Sequence, residues 1–245
     1  MTLNSSIRDP QLAPSYSILY GDCIQVMHQL NARSVDFVLT DPPYLVNYRD
    51  RCGRAILNDV DQSWLRPAFM EAYRVLREGR FMISFYSWTH ADKFLETWRN
   101  AGFRVIGHLV FRKQYCSQTR FLGYQHEQAY LLAKGRPKLP TQPISDVLDM
   151  RYSGNQMHPT QKPVSALLPL IRSFTSEGDL VLDPFCGSGS TGVAALLAHR
   201  RFLGIELDPE YHRVAQNRLA RRTAAQRSSL ANCASAIGSL VSSVS

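Results

Sequence analysis

The chain has 245 residues, enough for one well-buried α/β domain with modest insertions and too few for two full domains. No apolar run reaches bilayer-spanning length, Met1 to Pro14 lacks the cationic, apolar and small-residue progression of a secretory signal, and the five cysteines (23, 52, 116, 186 and 233) show neither metal-ligand spacing nor an even disulfide count. A cytoplasmic protein with free thiols and no metal site is expected, and its formal charge of +8 suits an anionic partner.

Along the chain, Ser17 to Tyr20 reads as a strand closed by Gly21-Asp22, Ile24 to Leu30 as a helix, and Val35 to Thr40 as a buried strand. Apolar residues from Trp64 to Leu76 recur at helical spacing, and Gly79 is expected to stop that helix before a strand at Phe81 to Phe85. A helix over Ala91 to Asn100 precedes two strands, around Phe103 to Phe111 and Gln128 to Ala133, that flank a loop at Tyr115 to Gln125 and suit an antiparallel pair. Val164 to Phe174 is helical, Leu180 to Leu182 is strand, Thr191 to His199 is helix and Phe202 to Ile205 is strand. Asp208, Pro209 and Glu210 then give a helix N-cap, first position and acidic first turn. That helix is expected to end near Arg222, because residues 223–245 are rich in Ser and Ala and read as a disordered tail. The alternation predicts an α/β fold whose mostly parallel sheet carries helices on both faces and a small antiparallel hairpin.

Two strand ends carry chemistry. Asp41-Pro42-Pro43-Tyr44 leaves the Val35 to Thr40 strand at its carboxyl edge, where open α/β sheets bind ligands. Consecutive prolines fix φ and remove two N–H donors, which leaves rigid carbonyl acceptors beside a carboxylate and an aromatic face. Such a set suits a planar base bearing an exocyclic amine. Asp183-Pro184-Phe185-Cys186-Gly187-Ser188-Gly189 follows the second strand and opens a helix, the setting of a loop that cradles a nucleoside-bearing cofactor. Residues 187–192 also fit the dinucleotide pattern G-x-G-x-x-G, with Glu206 standing 19 positions after Gly187 as an acid for a ribose diol, so an NAD-dependent oxidoreductase is a rival reading.

With His158-Pro159-Thr160-Gln161-Lys162-Pro163 between them, these motifs resemble the amino-methyltransferases of DNA, in the order of their beta class, over roughly Ile18 to Leu219. The resemblance implies a circularly permuted Rossmann-like methyltransferase fold, S-adenosylmethionine as cofactor, and DNA as substrate. A dehydrogenase has no use for the Asp-Pro-Pro-Tyr or His158 to Pro163 motifs. By resemblance, Asp41, Pro42, Pro43 and Tyr44 hold the target amine of an extruded base. Asp183 meets the methionine ammonium, Phe185, Gly187 and Gly189 line the cofactor loop, and Glu206 binds the ribose. Asp22 contacts the adenine end or serves only as a turn residue; Thr160 and Lys162 touch the cofactor or cap the following helix. Aspartate at the first tetrapeptide position points to adenine N6; cytosine N4, an RNA base and a non-catalytic DNA-binding module are the alternatives.

Arg99 to Lys138 holds eight Lys or Arg and one acid, interleaved with aromatic residues, as a nucleic-acid surface requires. Arg112, Lys113, Arg120, Lys134, Arg136 and Lys138 are the expected phosphate contacts. Residues 1–222 are expected to form one domain: a catalytic half over about 17–134, a small recognition insert at about 135–157, and a cofactor half over about 158–222. Leu45 to Gln62 is a second candidate DNA-contacting loop, and so small an insert suits a short target or one read jointly by a homodimer.

Overall fold

The run Val35–Thr40 has almost no polar face to offer water, and in the computed structural model of the chain it forms a central strand buried along its whole length. The structure describes residues 15–45, 61–118, 121–140, 142–151 and 161–242. Its strands are β1 (Tyr16–Tyr20), β2 (Val35–Thr40), β3 (Leu76–Phe85), β4 (Arg104–Gln118), β5 (Gly123–Ala133), β6 (Val147–Met150), β7 (Leu180–Asp183) and β8 (Arg201–Glu206). The helices are α1 (Cys23–His28), α2 (Leu65–Val75), α3 (Ala91–Ala101), α4 (Val164–Phe174), α5 (Ser190–Leu197) and α6 (Pro209–Ser242). Among the described residues the strands make one eight-stranded sheet in the order β1-β8-β7-β2-β3-β5-β4-β6. Every pairing is parallel except those of β5. The N-terminal strand lies beside the last one, from Tyr16 against Phe202 to Tyr20 against Glu206, which is the permuted arrangement expected from sequence.

Strand alternation sends side chains to two cores. Phe37, Leu39 and Ile83 pack with Leu167, Leu170 and Ile171 of α4 and with Ala194, Ala215 and Leu219 of α5 and α6. On the other face Val38, Met82 and Leu132 meet Met27 of α1, Phe69 of α2 and Trp98 of α3. One acid, Asp36, is buried in β2. It is neutralised by Arg77 at 2.6 Å and Arg80 at 3.1 Å, and it accepts from the Leu180 N–H at 2.9 Å, which ties three elements at the amino edge of the sheet.

Four sequence expectations change. Helix α2 stops at Val75, and Leu76 already pairs with Val35. Gly79 (φ +70°) sits inside β3, where the register jumps from Val35–Leu76 to Phe37–Phe81, so it marks a strand irregularity rather than a helix cap. Strands β4 and β5 run out to Gln118 and Gly123, because polar residues alternate along an exposed hairpin and resemble a loop in composition. The expected insert contributes β6, which pairs parallel with Val110 to Lys113 of β4. The last helix continues to Ser242, its alanine content sustaining helix where the lack of large apolar residues suggested a tail. Among the described residues no helix is long and apolar enough to cross a membrane.

Candidate active site

Four acids stand at the carboxyl ends of four neighbouring strands: Asp22 after β1, Glu206 at the end of β8, Asp183 at the end of β7 and Asp41 after β2. Leu182 pairs with Val38 and Asp183 with Gly204, so Asp183 is set two residues below both Glu206 and Asp41. At strand rise that is about 7 Å, which makes Asp183 the floor between two acidic walls.

Asp183 is 2% exposed and its Oδ1 accepts from the Phe185 N–H at 3.2 Å. Burial pushes its carboxyl up to about 7, and the groups acting on it, Thr191, the Phe185 amide, Thr40 and Asp41, include no cation. A ligand ammonium would supply the missing counter-charge. Above it, the Glu206 Oε2 accepts from the Gly187 N–H at 2.7 Å and Oε1 from the Asp208 N–H at 2.9 Å, so this acid shapes the glycine loop before any ribose reaches it. Burial also raises its carboxyl. Asp22 caps α1, with Oδ1 accepting from the Ile24 and Gln25 N–H groups at 2.9 and 3.1 Å; the turn role is therefore present, at a strand end next to Glu206.

The loop itself needs glycine. Gly187 and Gly189 adopt φ values of +50° and +78°, and a Cβ on Gly189 would lie 2.9 Å from the Leu219 side chain. Phe185 sets its ring edge-on to Trp64 at 5.0 Å, which closes the loop against the start of α2. Arg218, which sequence reasoning missed, pins the loop from α6 by donating to the Ser188 carbonyl at 3.1 Å and the Ser190 hydroxyl at 3.0 Å. The charge pattern of α6 gives no hint of it, since its arginines look alike in sequence.

Lys162 is tied to the catalytic turn. Its Nζ donates to Asp41 Oδ2 at 2.5 Å and lies 3.0 Å from Glu127 Oε2. It does not cap α4, whose N-cap position is Pro163 with no side-chain capping bond. Tyr44 donates from its hydroxyl to Asp41 Oδ1 at 2.7 Å. The ammonium also sits 4.8 Å from the Phe85 ring centroid and 5.5 Å from that of Tyr44. Pro42 is buried and Pro43 partly so, which fixes the turn that presents this set. Thr160 and Arg120 lie outside the described residues.

The electrostatics of this cluster are uneven. Burial raises the Asp41 carboxyl, and Lys162 does not fully offset it. Burial also works against an ionised Glu127, yet there Lys162 prevails and the carboxyl is held below its usual range. Lys162 itself is pushed up because its two carboxylates outweigh burial, and burial with the nearby Asp41 raises the Tyr44 hydroxyl. Glu127 was not foreseen, although one signal was available: it is the single acid among the eight cations of residues 99–138.

The basic stretch divides between two edges. Arg112 faces His126 and Lys113 follows it, near Glu127 at the catalytic edge. Arg112 is paired with exposed Asp149 at 2.8 Å, and Lys113 stands 5.1 Å from the Tyr115 ring. Lys134 is at the opposite edge and is 5% exposed, donating to the Tyr73 and Leu76 carbonyls at 2.6 and 2.7 Å. It closes the carboxyl end of α2 and is no phosphate contact. Arg136 and Lys138 are exposed but follow Lys134 beyond that far edge, about 20 Å along β5 from Glu127.

A family of DNA methylases matches residues 35–217. YubD, a methylase homologue of Escherichia coli K12, is 55% identical over 214 residues, covering 87% of this chain and 94% of its own. The DNA adenine methyltransferase YhdJ of the same organism is 27% identical over 242 residues, covering 83% of this chain and 82% of its own. Among solved structures, the Thermus thermophilus protein TTHA0409 in complex with S-adenosyl-L-methionine superposes with a TM-score of 0.68 at 24% identity, over 84% of this chain and 94% of its own, a likeness of fold. The chain belongs to the N6/N4 DNA methylase family, in which S-adenosylmethionine supplies the methyl group.

Proposed function

We propose that this DNA methyltransferase methylates the N6 amine of adenine. The observation that carries the reading is the Asp41 carboxylate, held at the carboxyl end of β2 by Tyr44 and Lys162, 21% exposed and one strand over from Asp183. Its place as an aspartate at the head of Asp41-Pro42-Pro43-Tyr44, together with the likeness to YhdJ, favours adenine over cytosine.

Bound S-adenosylmethionine would supply an electrophilic methyl group. Asp183 would hold its ammonium, Glu206 its ribose, Asp22 its adenine end, and Phe185, Gly187 and Gly189 would line it. The residues fit that ligand because Asp183 is a buried carboxylate without a cation. Asp41 and the Pro42 carbonyl would each accept a hydrogen of the target amine, which draws the nitrogen out of conjugation and aims its lone pair. Tyr44 would offer the extruded base a stacking face, worth roughly 1–3 kcal/mol. As the amine becomes cationic, Asp41 stabilises the charge and afterwards accepts the proton. We assign 17–134 to catalysis and 158–222 to the cofactor. Arg112, Lys113 and Arg120 are the phosphate contacts, and 135–157 reads a short target, alone or across a homodimer.

The test is nucleoside analysis of duplex DNA treated with the protein and S-adenosylmethionine. N6-methyladenine, absent with Asp41→Ala, is expected. N4-methylcytosine would assign the enzyme to cytosine, and an unmodified duplex beside a modified RNA would move it to RNA.

A further inference from the structure

The mechanism above leaves one partly buried carboxylate beside Asp41 without a role. Glu127 lies on β5, on the sheet face that also carries Ala129 and the facing Phe111, and its backbone stands two residues beyond the Ala129–Phe85 pair at the catalytic edge. From there its Oε2 reaches the Lys162 ammonium at 3.0 Å, on an ion already bonded to Asp41 at 2.5 Å. The groups facing this ion are Asp41, Tyr44 and Glu127, with Lys113 acting on Glu127 and Asp41 in turn acting on Asp183. Lys162 is 6% exposed, and the Phe85 ring closes a further side of it.

Charge counting gives the cluster its meaning. One ammonium with one carboxylate is a neutral pair and a weak acceptor for a developing cation. One ammonium between two carboxylates leaves these three groups, counted without Lys113, one negative charge in excess, and the partial burial of both carboxylates limits screening by water. Methyl transfer to an amine creates one positive charge at that place. We infer that Glu127 is a positioning residue, which by drawing on the Lys162 ammonium keeps it shared between two carboxylates, so that Asp41 meets the target amine with its negative charge uncancelled. This rests on the assignment of Asp41 to the target amine.

The measurement has two readouts: the pH dependence of kcat, and titration of the Asp41 carboxyl followed by carbon NMR in the enzyme without DNA. In Glu127→Gln, Lys162 turns wholly to Asp41. Asp41 should then titrate at lower pH, and the kcat plateau should fall by about tenfold or more, with the KM for DNA and the affinity for S-adenosylmethionine within about twofold of wild type. Glu127→Asp, which keeps the charge, should recover most of the plateau. Lys162→Met should move the Asp41 titration the other way, to higher pH. A Glu127→Gln plateau equal to wild type, or an Asp41 titration that stays in place, would overturn the inference. Should the titrations move as stated while the wild-type protein transfers no methyl group to DNA, charge sharing stands and the reading of Asp41 as the amine's partner fails.

Discussion

Lys162 and Asp41 are 121 positions apart in the chain and 2.5 Å apart at Nζ and Oδ2. That contact joins the segment leading into α4 to the turn leaving β2, across the same sheet face, and so couples the cofactor half of the chain to the catalytic half. It also means that Asp41 is already occupied by two donors before a base arrives. A target amine must share the carboxylate with Tyr44 and Lys162 rather than find it bare.

Replacing Asp41 with alanine should therefore leave cofactor binding intact and remove the acceptor for the reacting amine. Methyl transfer is expected to fall by on the order of 10²–10³ or more, as when one preorganised polar partner of a transition state is lost. Single-turnover kinetics with calorimetry of S-adenosylmethionine checks both halves, and near-wild-type turnover would take Asp41 out of the chemistry.

Asp183 gives a pH dependence. Burial sets its carboxyl at about 7 against an ordinary value of 3.8, so the folded chain holds this proton more tightly than the unfolded chain. Its contribution to stability is then fully present below about pH 4 and is lost as pH rises through 7. Ionisation is what a ligand ammonium requires, so affinity for S-adenosylmethionine should increase from pH 6 to pH 8. Asp183→Asn should raise the apo melting temperature above pH 7 and abolish that increase in affinity. A pH-independent affinity in the wild-type protein would separate Asp183 from the ammonium.

Lys134 should behave as a structural residue. Losing its bonds to the Tyr73 and Leu76 carbonyls strips the end of α2, and Lys134→Ala is expected to cost about 1–3 kcal/mol in denaturant unfolding. The salt dependence of DNA binding should stay as it is. A flatter salt slope in this variant would return Lys134 to the DNA surface.

Lys134 also shows how far the sequence could be read. Helix α4 and the Asp208 cap of α6 are legible because periodicity and cap chemistry are local, and the permuted strand order follows from the order of the motifs. The fate of a lysine is not local. Lys134, Lys162 and Lys113 are alike as letters, and only the tertiary arrangement of distant segments decides that the first closes a helix, the second bridges two carboxylates and the third stays at the rim. Glu127 was hidden for the same reason, since an acid within a basic run looks like a neutralising surface charge until its strand is paired.

If the basic stretch meets DNA at the catalytic edge, the same register leaves Arg112 and Lys113 as the expected phosphate contacts among the described residues. Both lie on β4 where it passes Glu127 and His126, at the edge from which Asp41 is reached, whereas Lys134, Arg136 and Lys138 lie toward the other end of the sheet. Arg112 is engaged with Asp149 at 2.8 Å, but both side chains are well exposed, and an exposed pair of this kind is worth at most about 1 kcal/mol, little enough for a phosphate to displace. Each phosphate contact releases counterions, so neutralising Arg112 and Lys113 together should flatten the log–log salt dependence of binding by about 0.9 per contact, whatever the DNA sequence. Affinity for S-adenosylmethionine should hold, because neither residue touches the glycine loop. Neutralising Arg136 and Lys138 together should leave the slope alone. If the second pair flattens it and the first does not, the duplex lies along the far edge, and Asp41 is on the wrong side of the sheet to meet a base extruded from it.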